Sequence, residues 1–221
     1  TGTYIDKKFI PAQTTLDNAL ISENEYRTLH KQSIENPETF WGEIAEKELS
    51  WFKKWDQIFI QDGTCYEWFN GAKLNITYNC LDRHIEKGLG DKIAYYYTNE
   101  GENERTITYS ELHKLVCKFA NGLKSLGVKK ADTVTIYMPL TIELTVAMLA
   151  CARIGAVHSV VFGGFSAAAL RSRIEDAESK IVITSVFTRR RGKETSLRNV
   201  VEEATNGLDF LEKIIIDRRL S

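Results

Sequence analysis

Apolar and polar positions change their rhythm part-way along the chain. Up to about residue 85 the pattern is irregular. Ser22-x-x-Glu25 reads as a capping box and opens a predicted helix to about Ser33. Asn36-Pro37 places an N-cap before a proline at the first helical position, and the helix that follows presents Phe40, Trp41, Ile44 and Ala45 on one side. From about Asp91 the pattern becomes regular. Ile93–Thr98 and Arg105–Tyr109 read as strands joined through polar Asn99–Asn103, a hairpin signal. Ser110 is the predicted cap of a helix whose apolar stripe is Leu112, Leu115, Val116, Phe119, Ala120 and Leu123, with Gly127 placed as its C-terminal glycine. Thr133–Met138 reads as a strand, and Thr141 caps an apolar helix to Ile154. Val157–Phe162 is apolar enough to predict a strand buried on both faces. Ser166 caps a helix through Ala177, Lys180–Ser185 is a strand, a helix carries Leu197, Val200, Val201 and Ala204, and Ile214–Ile216 is a last strand.

Strands alternating with helices of 10 to 15 residues predict crossover units and a parallel sheet, the α/β class. The expected organisation is a helical, Trp-rich extension over residues 1–85, holding Trp41, Trp51, Trp55 and Trp68, then an α/β subdomain over 86–221. Parallel sheets bind ligands beyond the carboxyl ends of their strands, so the loops after Met138, Phe162 and Ser185 are the informative ones.

Composition narrows the function classes. Lys plus Arg is 29 against 30 Asp plus Glu, a formal net charge of -1, which argues against a globally basic nucleic-acid binder. The longest uncharged apolar run, Leu144–Ala152, is far below the roughly 20 residues of a membrane span. No secretory signal is visible at Thr1-Gly2-Thr3-Tyr4, and Cys65, Cys80, Cys117 and Cys151 form no Cys-x-x-Cys pair, so reduced thiols and a cytoplasmic location are expected. The chain begins without Met, which suggests processing or trimming.

Two loops carry candidate chemistry. Phe162-Gly163-Gly164-Phe165-Ser166 follows a strand and opens a helix, so its glycines either admit a ligand close to the backbone or serve a tight turn. Thr188-Arg189-Arg190-Arg191-Gly192-Lys193, with Arg198, sets five cations against Glu194 alone, and is either a phosphate or nucleotide site or a solvated loop. A phosphate-binding P-loop is excluded, because Phe187 and Glu194 stand where Gly and Ser or Thr are required. Cys80, Asp82 and His84 fall short of a four-ligand metal site, and His113 and His158 have no sequence-adjacent triad partners.

Several segments resemble acetyl-CoA synthetases, the acetyl/propionyl branch of the adenylate-forming ligases. They are Trp68–Asn75 with Asn79–His84, Thr106–Leu112, Val134–Pro139, and the long block Ala147–Ser159 continuing through Phe162–Ser166. The resemblance covers nearly the whole chain. It implies the N-terminal part of an adenylate-forming ligase large domain, and a two-step reaction. A carboxylate attacks the α-phosphate of MgATP to give acyl-adenylate and pyrophosphate, and the thiol of coenzyme A (CoA) then displaces AMP. In such enzymes the CoA adenine and 3′-phosphate meet a Phe-Gly-Gly turn and an Arg-x-Gly-Arg loop, which map here to Phe162, Gly163, Gly164, Arg190 and Lys193. Lys193 stands where the family usually has Arg, and Ala131 where it often has Gly. The family's ATP phosphate loop, acyl pocket, ribose-binding aspartate and catalytic lysine lie downstream of residue 221, so no catalytic residue and no metal ligand is expected here. The expectation is the first third of a longer acetate–CoA ligase, inactive alone, with acetate, ATP and CoA as partners and neither nucleic acid nor membrane. Alternatives are a propionyl-CoA synthetase fragment, a stand-alone non-catalytic nucleotide-binding module, or a nucleic-acid module using Arg189–Arg198. The last lacks aromatic stacking groups beside that loop.

Overall fold

A computed structural model describes residues 3–5, 8–100 and 104–218, which fall into two compact units, residues 1–73 and 74–221. The first unit opens with a short antiparallel pair, β1 (Thr3–Ile5) and β2 (Lys8–Ile10), followed by α1 (Gln13–Asp17), α2 (Glu23–Glu35) and α3 (Pro37–Glu48). The capping box forms as expected: the Ser22 hydroxyl accepts from the Glu25 N–H at 3.2 Å while the Glu25 carboxylate accepts from the Ser22 N–H at 2.7 Å. Past Glu48 the extension is no longer helical. β3 (Gln57–Asp62) and β4 (Cys65–Asn70) form an antiparallel hairpin with Phe59 opposite Trp68. Trp51, Trp55 and Phe69 gather with ring centroids 5.1–5.4 Å apart, and the Trp51 indole donates to the Ala45 carbonyl. Ala45 is nevertheless the one buried apolar residue among those described in this unit.

The second unit starts with a π-helical turn, Tyr78–Asp82, running into α4 (Arg83–Glu86). β5 (Ile93–Tyr97) and β6 (Arg105–Thr108) then form the expected hairpin, part of whose connection, 101–103, lies outside the described residues. The remaining elements alternate as the pattern predicts: α5 (Tyr109–Ser125), β7 (Thr133–Met138), α6 (Ile142–Ile154), β8 (Val157–Phe162), α7 (Ala167–Asp176) and β9 (Ile181–Ser185). After β10 (Phe187–Arg190) and β11 (Lys193–Ser196) come α8 (Leu197–Thr205) and β12 (Lys213–Asp217). β12, β9, β7 and β8 lie in that order in one parallel sheet, which bears out the expected class.

The two-residue period of the strands builds a layer on each face. Val134, Ile136, Met138, Ile181 and Ile183 pack with α5 and α6, while Tyr137 and Val182 pack with α7 and α8. Val134, Ile136 and Val182 are fully buried, each contributing on the order of 1.5–3 kcal/mol of apolar burial.

Two expectations are corrected. The cap of α5 is Thr108, not Ser110, because Thr108 and Glu111 satisfy each other's backbone N–H groups as a second capping box. β8 is not buried on both faces. It pairs with β7 alone in the described sheet, and although Val161 is buried in the α7–α8 layer, Val157, Val160 and Phe162 are exposed.

Candidate functional site at the carboxyl ends of the strands

The register places Met138 beside Phe162, and Ser185 beside Asp217, along one end of the sheet. At the end of β8 the Phe165 N–H donates to the Phe162 carbonyl at 3.0 Å, closing the turn, and the Tyr137 hydroxyl donates to the Phe165 carbonyl at 2.7 Å. Both glycines answer to packing. A Cβ on Gly163 would sit 3.2 Å from the Met138 carbonyl oxygen, and one on Gly164 would sit 2.6 Å from the ring of Phe162, which folds back over it. That ring is 55% exposed and meets Phe165 edge-on at 5.8 Å, while the Arg173 guanidinium lies 4.6 Å over the Phe165 ring. The turn therefore presents an aromatic face held by its own glycines, and Ser166 caps α7 behind it through the Ala169 N–H.

The basic segment is a hairpin, β10–β11, where the sequence predicts a loop. Arg191 (φ 53°) and Gly192 (φ 71°) form the two-residue turn in the left-handed region, as a right-twisted hairpin requires. Arg189 pairs with Glu194 across the strands at 2.8 Å and covers the Phe187 ring, so the lone anion of the segment is consumed inside the hairpin. Arg198 pairs with Glu202. Arg190 and Lys193 face each other as the closing pair, both exposed, and among the described residues neither has an ion-pair partner. Like charges placed directly opposite are unfavourable, and a bound anion would relieve that cost.

Sequence reasoning missed one residue. The Glu100 carboxylate accepts from the Arg191 and Gly192 N–H groups, both at 2.9 Å, gripping the turn from 91 and 92 residues away. Those two backbone donors, with the Arg190 charge nearby, hold its pKa below the ordinary carboxylate value. Glu100 sits in a segment that the pattern marks only as polar connection, so no local signal reveals it.

The Phe162 turn and the hairpin do not rise from adjacent strands. β7 stands between β8 and β9, which separates the two strand ends by two inter-strand steps of about 4.8 Å each. Among the described residues no hydrogen bond or ring contact joins Phe162 to Arg190 or Lys193.

A further cluster forms where the sequence offered only scattered residues. Asp82 takes a bidentate pair from Arg153, 2.8 Å on each oxygen, and contacts His113 Nε2 at 3.2 Å. The Arg153 hydrogen bonds, with help from His113, hold the Asp82 carboxyl below its ordinary value. Cys117 Sγ lies 3.5 Å from the same His113 nitrogen. Cysteine, histidine and acid are thus together, but both partners address Nε2, so the imidazole cannot relay a proton between them as a nucleophile's base does. Among the described residues no group of three or more His, Cys, Asp or Glu is placed to hold a metal ion.

With that geometry in view, relatives place the chain. A family model described as AMP-binding enzyme matches residues 81–219, and one described as acetyl-coenzyme A synthetase N-terminus matches residues 26–80. The chain belongs to the AMP-binding enzyme family. It is 55% identical over 193 residues to an acetyl-coenzyme A synthetase of Magnetococcus marinus, covering 85% of this chain and 29% of that protein. A 3-hydroxypropionyl-coenzyme A synthetase of Sulfurisphaera tokodaii is 47% identical over 198 residues, covering 88% and 30%. Among solved structures, an acetoacetyl-CoA synthetase from Streptomyces lividans superposes with a TM-score of 0.81 at 28% identity, covering 89% of this chain and 30% of that one. The chain spans about 30% of the length of the curated relatives it matches. Among the described residues no helix is long and apolar enough to cross a membrane.

Proposed function

We propose that this member of the AMP-binding family is part of an AMP-forming acetate–CoA ligase, which condenses acetate with CoA at the expense of ATP through an acetyl-adenylate. Within it, the chain supplies part of the CoA nucleotide site. Phe162 offers an exposed ring to the adenine, the Gly163-Gly164 turn keeps that ring in place, and Arg190 with Lys193 receives the 3′-phosphate. The observation that carries the reading is the closing pair of the hairpin, two exposed cations opposed across the strands with no ion-pair partner among the described residues, in a chain 55% identical to an acetyl-coenzyme A synthetase. Lys193 is a point charge and cannot form the planar fork of an arginine, so the phosphate contact on that side is single.

Titration calorimetry of the chain with CoA and with dephospho-CoA tests this. Each charge-assisted hydrogen bond is worth about 1.5–3 kcal/mol, and solvent screening brings two exposed ones to the low end, so a preference for CoA of about tenfold is expected. Arg190→Ala and Lys193→Ala each erode that preference. Equal binding of both ligands, or indifference to both substitutions, rejects the phosphate assignment.

A further inference from the structure

The other end of the second unit carries charge that the CoA reading leaves unused. A cavity of about 590 Å³ opens between the end of α5, the turn before β7 and the end of α6. That is the amino-terminal side of the sheet, away from the Phe162 turn and the hairpin tip. Its apolar floor is Ala120, Val128 and Ile154, Cys117 lies on its wall, and its cations are Lys124, Lys129, Lys130 and Arg153, with no carboxylate in the lining. The volume lies in the usual range of small-molecule sites.

The ordinary role of lysines at such a place is to satisfy the last carbonyls of a helix. Here most of those carbonyls are already satisfied by other donors. In α5 the Gly122, Leu123 and Lys124 carbonyls accept from the backbone N–H groups of Leu126, Gly127 and Val128, and the Leu126 carbonyl accepts from Lys213. In α6 the Leu149 carbonyl accepts from Thr77, those of Ala152 and Arg153 accept from Asn75, and the Cys151 carbonyl accepts from the Ala156 N–H. Arg153 is spent on Asp82. Asp132, which feels the charge of Lys129, gives its carboxylate to the Lys129 backbone N–H and the Lys180 ammonium. Lys124, Lys129 and Lys130 have no side-chain ion pair among the described residues, and the Lys130 stem lies over Gly155, 3.0 Å from where a Cβ would be.

We propose that this cavity is a second anion site, built for a di- or triphosphate group, with three ammonium groups around an apolar floor. A compact ion carrying several negative charges matches three mobile point charges better than a planar carboxylate does, because lysine donors need no fixed fork.

Inorganic pyrophosphate is the probe. It should slow carboxymethylation of Cys117 by iodoacetate, followed by mass spectrometry of the peptide that carries it, and leave the exposed Cys65 and Cys80 unaffected. Calorimetry should show saturable binding that weakens about tenfold in the Lys124→Gln/Lys129→Gln/Lys130→Gln variant, the loss expected for a few solvent-screened charges. The corresponding triple Arg variant should retain binding, which separates charge from any effect on folding. Arg190→Ala/Lys193→Ala should leave protection of Cys117 intact. Absence of protection, equal slowing of all three thiols, unchanged binding by the triple Gln variant, or loss of binding in the hairpin variant would each overturn the proposal.

Discussion

Asp82 should be a sensitive polar position in the second unit. It joins the π-helical turn to α6 through Arg153 and to α5 through His113, and its side chain is 16% exposed against 26% for Arg153. An exposed ion pair contributes about 0–1 kcal/mol, and breaking a buried one costs about 3–5 kcal/mol. The bidentate geometry and partial burial place this pair between those limits, so Asp82→Asn is expected to cost about 2–3 kcal/mol. For a chain of this length that lowers the melting temperature by roughly 5–10 °C. A double-mutant cycle with Arg153→Met, read by urea unfolding followed through circular dichroism, should return a coupling of about 2 kcal/mol. The pH dependence fixes the sign. The folded carboxyl titrates below its unfolded value of about 3.9, so its contribution is complete above that value and fades as pH falls below it toward the folded pKa. Wild type and Asp82→Asn should therefore converge as pH falls from about 5 toward the lowest value at which the wild type remains folded. A coupling below about 0.5 kcal/mol, or a stability gap that does not narrow in acid, refutes the assignment of an ion pair that holds the turn to the helices.

Two further outcomes follow from the same geometry. Glu100→Gln should leave the β10–β11 hairpin paired but speed hydrogen exchange at the Arg191 and Gly192 amides, since a neutral amide oxygen can accept from only one of them as well as the carboxylate does; unchanged protection at both amides counts against the clamp. An isolated fragment 1–73 should melt without a cooperative transition, because Ala45 is its one buried apolar residue among those described while Ile34, Phe52 and Tyr66 each remain more than 60% exposed; a sigmoidal two-state unfolding curve would contradict this.

The regular half of the chain was legible because its period and its caps agree. Thr141, Ser166 and Ser22 each cap the helix that their spacing predicts, and β7 and β9, read as strands, are covered on both faces. β8 shows where composition misleads. Val157–Phe162 is as apolar as β7, yet exposure depends on which strand lies beside it, and strand order is not written in any local window. The β10–β11 hairpin was hidden by its charges. Arg189 and Glu194 are five residues apart and pair only once the turn at Arg191-Gly192 forms, and a non-glycine residue at positive φ has no strong sequence signature. Asp82, His113 and Cys117 were each visible singly, but their meeting with Arg153 depends on how α5, α6 and the π-helical turn pack, which is a tertiary fact.

The glycine turn and the cationic hairpin do not carry equal weight in the functional argument. A Cβ at Gly163 would crowd the Met138 carbonyl and one at Gly164 would displace the exposed Phe162 ring, so both glycines have a packing role whether or not a ligand is present. What the turn offers a nucleotide is the exposed ring that Gly164 lets fold back, a stacking surface indifferent to phosphate. Arg190 and Lys193 have less internal explanation, the nearby Glu100 charge acting on Arg190 without an ion pair. Their side chains oppose each other across the hairpin, the segment's carboxylate is taken by Arg189, and the Glu100 carboxylate holds the turn backbone and forms no ion pair with either side chain. A folded chain tolerates that arrangement at a cost, and an anion bridging the pair would turn the cost into affinity. Discrimination between CoA and its dephospho form is therefore the measurement on which the reading turns, and substitution of Phe162 should weaken both ligands alike.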